Sequence, residues 1–399
     1  MLDRRNVLRL ASLTPAAALL QGTAFSASAG ISPMTPDQTT PQKAMAAEQL
    51  RGLLNLFLPS FMADGITLDE VAIRHDVQHS IAQGFAGTLP LPNWTPPDDP
   101  RWKQFHEIIV DEAAGKLPLH GIITSSDPET DIAQLKRFEA LGAEMILLAP
   151  RHDPNISEAD LTEAMLKRVR ATDMSFILYA ALNKGRSFPH LGPAGQPLGV
   201  YDRLADEPNV VAAKISQPVT LTSTMQMCEV LADRLLMAPV NLDFFPLLAR
   251  HYHMQWSGQW NAEAVQTPDS QIGNELMAAC AAKDFQRVDQ IMLKMQPVID
   301  HFYLVQANSI RMGGHPWQHN KYYTWLGGGN GGLLPVDPHS AAASIPVLTA
   351  SARAGIRAAF KASNLTPTDA PEEQFIVGRA AWARGVRPAD LQELTRYEV

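Results

Sequence analysis

Between residues 51 and 261 the chain repeats one pattern eight times, and that repetition narrows the folds open to it. Short apolar runs of strand length fall at residues 53–58, 87–91, 117–123, 144–149, 175–179, 210–215, 235–240 and 254–261. Between them lie stretches with apolar residues at helical spacing, such as 67–83, 128–141 and 158–171. Gly84 is a natural stop for the first of these stretches. Asp127-Pro128-Glu129 is a natural helix start: a capping acid, a proline at the first helical position and an early acid. Strands alternating with helices predict a parallel α/β fold, and eight such units suit a closed (β/α)8 TIM barrel better than an open sheet. After Pro268 the pattern turns helical, at 270–282, 285–306 and 345–362. The expected organisation is a polar lead-in at 30–50, a barrel at 51–267 and a C-terminal helical extension at 268–362. A tail at 363–399 carries the linker signals Thr366-Pro367 and Ala370-Pro371 and a short helix near 373–384.

The first residues read differently. Asp3-Arg4-Arg5-Asn6-Val7-Leu8-Arg9 precedes a short apolar stretch, residues 10–20, and Ala27-Ser28-Ala29 offers small residues for cleavage. Paired arginines, an apolar core and that site predict a twin-arginine signal peptide over 1–29 and a periplasmic mature protein. Ser12, Thr14 and Pro15 break the apolar stretch, which is too short to span a bilayer. No membrane association is therefore expected after cleavage. With 46% hydrophobic and 19% charged residues the rest is ordinary globular sequence. A net charge of −8 without a basic run argues against nucleic-acid binding. Cys228 and Cys280 lack metal-ligand spacing, and sequence leaves a disulfide between them open.

Two consecutive strands carry candidate chemistry. In Val210-Val211-Ala212-Ala213-Lys214-Ile215, strand alternation groups Val210, Ala212 and Lys214 on one face. A lysine pointed into a barrel is costly to keep charged, and a neutral amine can attack a ketone to form an imine. Alternation in the preceding strand groups Ser175, Ile177 and Tyr179. Tyr179 ends its strand as Lys214 nearly ends the next, so both should reach the C-terminal face, where such barrels place their active sites. A tyrosine hydroxyl there can relay protons.

The chain resembles the dihydrodipicolinate synthase/N-acetylneuraminate lyase family. Leu178-Tyr179-Ala180-Ala181-Leu182 followed by Gly185-Arg186-Ser187 resembles its LYNVPGRT segment, with Asn183 and Lys184 extra. Glu207-Pro208-Asn209-Val210-Val211-Ala212-Ala213-Lys214 resembles its LPNIVGIK segment. Leu58-Pro59-Ser60-Phe61 with Asp64-Gly65 and Asp69, and Ala140-Leu141-Gly142-Ala143 through Pro150, match further segments in order over residues 51–362. The resemblance implies a Schiff-base lyase or aldolase acting on a pyruvate-like 2-oxo acid. Lys214 would form the imine, Tyr179 would relay protons and Arg186 would take the substrate carboxylate. It implies no cofactor and no metal, a small carboxylate as partner, and a homo-oligomer, tetramer or dimer. Two departures stand out. The hydroxyl loop expected after the second strand reads Pro92-Asn93-Trp94, and the tyrosine pair expected after the fourth is Arg151-His152. Authentic dihydrodipicolinate synthase is thereby disfavoured. Asn93, Trp94, Asn261 and His152 become candidates for binding a larger or differently charged ligand. The competing expectation is a degenerate barrel that binds a small carboxylate in the periplasm without turnover.

Other signals point elsewhere. Gly327-Gly328-Gly329-Asn330-Gly331-Gly332 contains GxGxxG but opens no helix, which predicts a flexible loop rather than a nucleotide site. His251 with His253, and His315 with His319, lack an acid at metalloprotease spacing. Lys321 is similar to a basic residue of the family's helical extension and is expected to be structural.

Overall fold

Parallel strands cannot be joined by tight turns, so each strand must be carried back by a crossover before the next can pair. The computed structural model of the chain has that arrangement. It describes residues 36, 39–91, 93–124, 127–150, 153, 155–181, 187–217, 220–258, 262–311, 315–335, 346–391 and 397–398. The export signal expected at 1–29 lies outside them. The chain runs α1 (Pro41–Gln49), β1 (Gly52–Phe57), α2 (Glu70–Ala82), β2 (Gly87–Pro90), α3 (Pro100–Ala113), β3 (His120–Ile123), α4 (Pro128–Ala140) and β4 (Met145–Leu148). It continues through α5 (Glu158–Val169), β5 (Ser175–Ala181), α6 (Leu198–Leu204), β6 (Val210–Gln217), α7 (Leu221–Leu231), β7 (Leu236–Pro239), α8 (Phe245–His251) and β8 (Trp256–Gly258).

All neighbouring strands are parallel, in the orders β2-β1-β8 and β3-β4-β5-β6-β7. A bridge between Thr88 and Leu119 joins one seam. At the other, Trp256 Nε1 donates to Leu236 O (3.3 Å) and Ser257 Oγ to Pro239 O (2.7 Å), closing a (β/α)8 barrel. Each strand falls within or overlaps a run expected from sequence. Where the run at 117–123 shortens to His120–Ile123, Pro118 supplies no amide and serves only as acceptor for Thr88 N. Asp127 caps α4 through Glu129 N and Thr130 N, both at 3.0 Å.

Two apolar layers hold the barrel. Leu54, Leu56, Leu89, Ile122, Leu147, Ile177 and Leu236 fill its interior. Leu53, Phe57, Ile146, Phe176, Leu178 and Ala213 face the surrounding helices. Within the segment expected as a polar lead-in, residues 41–49 form α1, which covers the N-terminal mouth. Ala46 and Ala47 with the following Leu50 join the interior cluster, and Gln255 Nε2 donates to Ala47 O and Leu50 O. Thr40 caps this helix, accepting from Lys43 N, and the short alanine side chains let its backbone approach the strand ends.

Beyond β8 come α9 (Ile272–Ala281), α10 (Phe285–Arg311), α11 (Trp317–Leu326) and α12 (Ala350–Ala362). The tail's expected single helix is two, α13 (Glu372–Val377) and α14 (Arg379–Ala383), divided at Gly378, whose φ of 87° breaks helical geometry. The glycine run after α11 is not loose as expected. Asn330 N donates to Asp76 Oδ1 (2.6 Å), while Gly332 N and Leu333 N donate to Phe375 O and Ile376 O. Lys321 lies buried beneath it, donating to Ser60 Oγ (2.8 Å) and facing Asp76 Oδ2 at 3.5 Å. Both cysteines are buried and free, which resolves the disulfide question in the negative. Among the described residues no helix is long and apolar enough to cross a membrane.

Candidate active site

β5 and β6 bring the two expected residues together. Tyr179 and Lys214 are register partners, and Lys214 Nζ lies 5.1 Å from the centroid of the tyrosine ring. On its other side Lys214 pairs with Ala238, and two residues earlier stands Ala212, so small side chains leave room around the amine. One sequence expectation needs correction. A register shift between Phe176 and Ile177 sets an extra β6 residue opposite β5. Such a bulge slips the alternation, so Val210 packs outward with the helices while Val211 and Ala212 face inward. Lys214 and Tyr179 keep the inner face because they lie beyond the bulge.

Lys214 is 1% exposed, and its Nζ makes no hydrogen bond or ion pair to any described residue. Burial pushes its pKa well below the ordinary lysine value, with Glu263 pulling it partly back up. The physical reason is that an apolar interior penalises the ammonium far more than the free amine. Burial therefore favours the free amine, which is the nucleophilic form of a lysine.

Sequence reading missed two groups that share this interior. Glu263 follows β8, which ends at Gly258 paired with Leu54. Two residues further along β1, Leu56 N has no β8 partner and donates instead to Glu263 Oε1 at 2.7 Å. The other carboxyl oxygen is buried with no partner among the described residues. Burial pushes the Glu263 pKa up to about 7, opposed in part by the Leu56 hydrogen bond and the charge of Lys214. The signal was an acid inside the otherwise apolar Ala262-Glu263-Ala264-Val265. His120 opens β3, and its alternation with inward-facing Ile122 marked it as interior. Burial, then the neighbouring Lys214 charge, brings its pKa down to about 4, so the ring is neutral at pH 7. Its Nδ1 has no hydrogen-bond partner among the described residues.

At the C-terminal mouth, Trp94 is buried and joins the interior cluster with Leu58, Leu91, Trp317 and Leu334. Its Nε1 donates to Pro335 O (3.0 Å), and Leu334 N donates to Gln318 Oε1 (3.0 Å). The helical extension therefore covers the mouth beside β1 and β2. Asn93 precedes Trp94 and is partly buried. Arg186, His152 and Asn261 lie outside the described residues, as does Arg151. A separate cleft of about 310 Å³ lies between Phe61, Asp64, Gly332, Leu334, Ile376 and Leu391. It holds neither Lys214 nor Tyr179, and the chemistry points to the barrel interior instead. Among the described residues no three His, Cys, Asp or Glu side chains gather as a metal site.

A scan against protein-family models and a search of curated proteins found no match. Solved structures do match. Dihydrodipicolinate synthase from Thermotoga maritima aligns with a TM-score of 0.60 at 17% identity, over 79% of this chain and 99% of that one. The chloride-inhibited dihydrodipicolinate synthase from Acinetobacter baumannii, complexed with pyruvate, gives 0.58 at 17% identity over 79% and 99%. PhdJ bound to a substrate intermediate gives 0.57 at 15% identity over 79% and 95%. At these identities the likeness is one of fold: the chain has the fold of the dihydrodipicolinate synthases, the family its sequence motifs resemble.

Proposed function

We propose that this protein is a divergent member of the dihydrodipicolinate synthase/N-acetylneuraminate lyase family, acting on a 2-oxo acid through an imine on Lys214. The observation that carries the reading is the buried Lys214 amine, without hydrogen bond or ion pair among the described residues, 5.1 Å from the Tyr179 ring centroid. The amine adds to the ketone carbon and water leaves. The resulting imine draws electrons from the adjacent bond, so a carbon–carbon or carbon–oxygen bond beside it can be made or broken. Tyr179 relays protons at that carbon. Arg186 takes the substrate carboxylate through paired guanidinium donors. A fold shared with a pyruvate complex of a dihydrodipicolinate synthase supports a small carboxylate as ligand.

Trp94 favours a second reading. It fills the mouth where the family has a hydroxyl loop, so the barrel would bind a carboxylate without turnover. Asn93, His152 and Asn261 belong to ligand binding on either reading. Export by the twin-arginine route to the periplasm and assembly as a dimer or tetramer complete the proposal.

The test is intact mass after incubation with a panel of 2-oxo acids and borohydride. Adducts on the wild type that vanish in Lys214→Ala are expected. Folded wild type that gains no mass from any acid contradicts the imine and leaves the binding reading. Turnover with product release then separates a lyase from a trap.

A further inference from the structure

Glu263 and Lys214 are both buried in the barrel, near enough to act on each other's titration, and each has a polar atom unmet among the described residues. Glu263 Oε1 is tethered to Leu56 N, and Oε2 is buried with no partner among the described residues. Lys214 Nζ is equally unpartnered among the described residues, and the two groups feel each other's charge without reaching ion-pair contact. A merely structural role does not explain the acid. A glutamine would accept from Leu56 N equally well and would carry no carboxyl into the interior. The other titratable groups that face Lys214 among the described residues are Tyr179 from β5 and His120 from β3. The neutral ring of His120 bears no proton to give as a cation.

We infer that Glu263 is the acid–base partner of Lys214, holding in the barrel interior the proton that imine formation consumes. The pair carries one proton in excess of the free amine and carboxylate, so the interior stays neutral overall whichever group holds it. With the proton on Glu263, the amine adds to the ketone and one of its two hydrogens moves to the new alkoxide. The carbinolamine hydroxyl then takes the Glu263 proton and leaves as water. The C–O bond breaks, the nitrogen lone pair forms C=N, and a protonated imine remains beside the Glu263 carboxylate. Three hydrogens, two from the amine and one from the acid, end as two in water and one on the imine nitrogen. No other reactant is needed. Glu263 thus serves where this chain has Arg151-His152 in place of the family's tyrosine pair. The catalytic part of the inference rests on the imine reading; the shared proton does not.

Two measurements on Glu263→Gln separate these parts. Cyanate, small enough for a closed site, carbamylates only the free amine, and peptide mass analysis reports Lys214 across pH. Removing the carboxylate should lower the half-reaction pH by about one unit or more, since a nearby opposite charge supports the ammonium by that order. Pyruvate trapping by borohydride should nevertheless slow by about 100-fold, because the acid for dehydration is gone. More free amine with slower imine formation is a pair of changes that simple loosening of the fold does not produce. An unmoved carbamylation midpoint overturns the shared proton. A shifted midpoint with unchanged trapping overturns the acid's role. Wild type that traps no 2-oxo acid sinks the imine reading and the catalytic part with it, while cyanate still decides the proton pair. If the glutamine variant does not fold, Glu263→Asp replaces it: a carboxylate drawn back by one methylene should move the midpoint in the same direction by less and slow trapping by less than about 100-fold, and wild-type values for both overturn the inference.

Discussion

Replacing Lys214 by methionine should stabilise the protein, and the gain should shrink as pH rises. Methionine matches lysine in length and removes an amine that is 1% exposed and unpartnered among the described residues. An unsatisfied buried polar group costs at least about 1 kcal/mol. An upper bound comes from proton linkage. Keeping a lysine neutral at pH 7.5 costs no more than about 4 kcal/mol, roughly 1.36 kcal/mol for each of about three pH units below its unfolded value. The gain at pH 7.5 should lie between these limits. The sign of the pH effect follows from the lowered folded pKa of Lys214. Between that value and the ordinary lysine range, the unfolded chain binds more protons than the folded one, so wild-type stability rises with pH. The variant has no such group, and at pH 9.5 the bound on its advantage falls to about 1.2 kcal/mol. Glu263 is present in both proteins, and its raised pKa of about 7 gives each a stability that is lost as pH rises through that value, so the gap between them is set by Lys214. Urea unfolding followed by tryptophan fluorescence at pH 7.5 and 9.5 measures both differences. A variant less stable than wild type at pH 7.5, or a gap that does not narrow, would show that the folded amine is charged and paired, refuting this account of the site.

Three further outcomes are expected. Arg168 and Asp131 form a buried ion pair between α5 and α4 at 2.6 Å. Arg168→Met alone should cost about 3–5 kcal/mol in urea unfolding, whereas adding Asp131→Leu should restore most of it. Leu50→Ala, at the end of the α1 plug, should cost about 2–5 kcal/mol by the same assay, because Leu50 is fully buried among the barrel's interior residues. Cys228 and Cys280 should resist iodoacetamide in the native protein at pH 8, since burial raises both thiols, Cys280 to about 12. Intact mass should then show two alkyl groups after unfolding without reductant, and none at that stage would reveal a disulfide.

The barrel was legible because its evidence is local. Each strand is a short apolar run closed by turn residues, and Asp127-Pro128 names a helix start without help from the rest of the chain. Lys214 and Tyr179 were legible for a related reason: strand period and position near strand ends place both at the C-terminal face. The misses were long-range. The bulge that turns Val210 outward arises from the register with β5, which no single strand encodes. Glu263 is pinned by a β1 amide 207 positions away, a pairing that no local pattern announces. α1 looked like a polar lead-in because its barrel-facing side is made mainly of the small Ala46 and Ala47 with Met45 and Leu50, too weak an apolar stripe for an amphipathic pattern to register. The glycine run looked loose because its anchors lie on α2 and α13, far away in sequence.

The central claim is that one lysine carries the chemistry, and two other buried lysines make it sharply testable. Lys43 donates to Ala205 O, and Lys321 is bonded to Ser60 and faces Asp76, so neither amine is unengaged. Trypsin does not cut at a modified lysine. After borohydride reduction with a reactive 2-oxo acid, digestion should yield the adduct on one uncut peptide spanning residues 204–234, which contains Lys214. An adduct on Lys321, on Lys43 or scattered over exposed lysines, with the peptide cut normally after Lys214, would contradict the account.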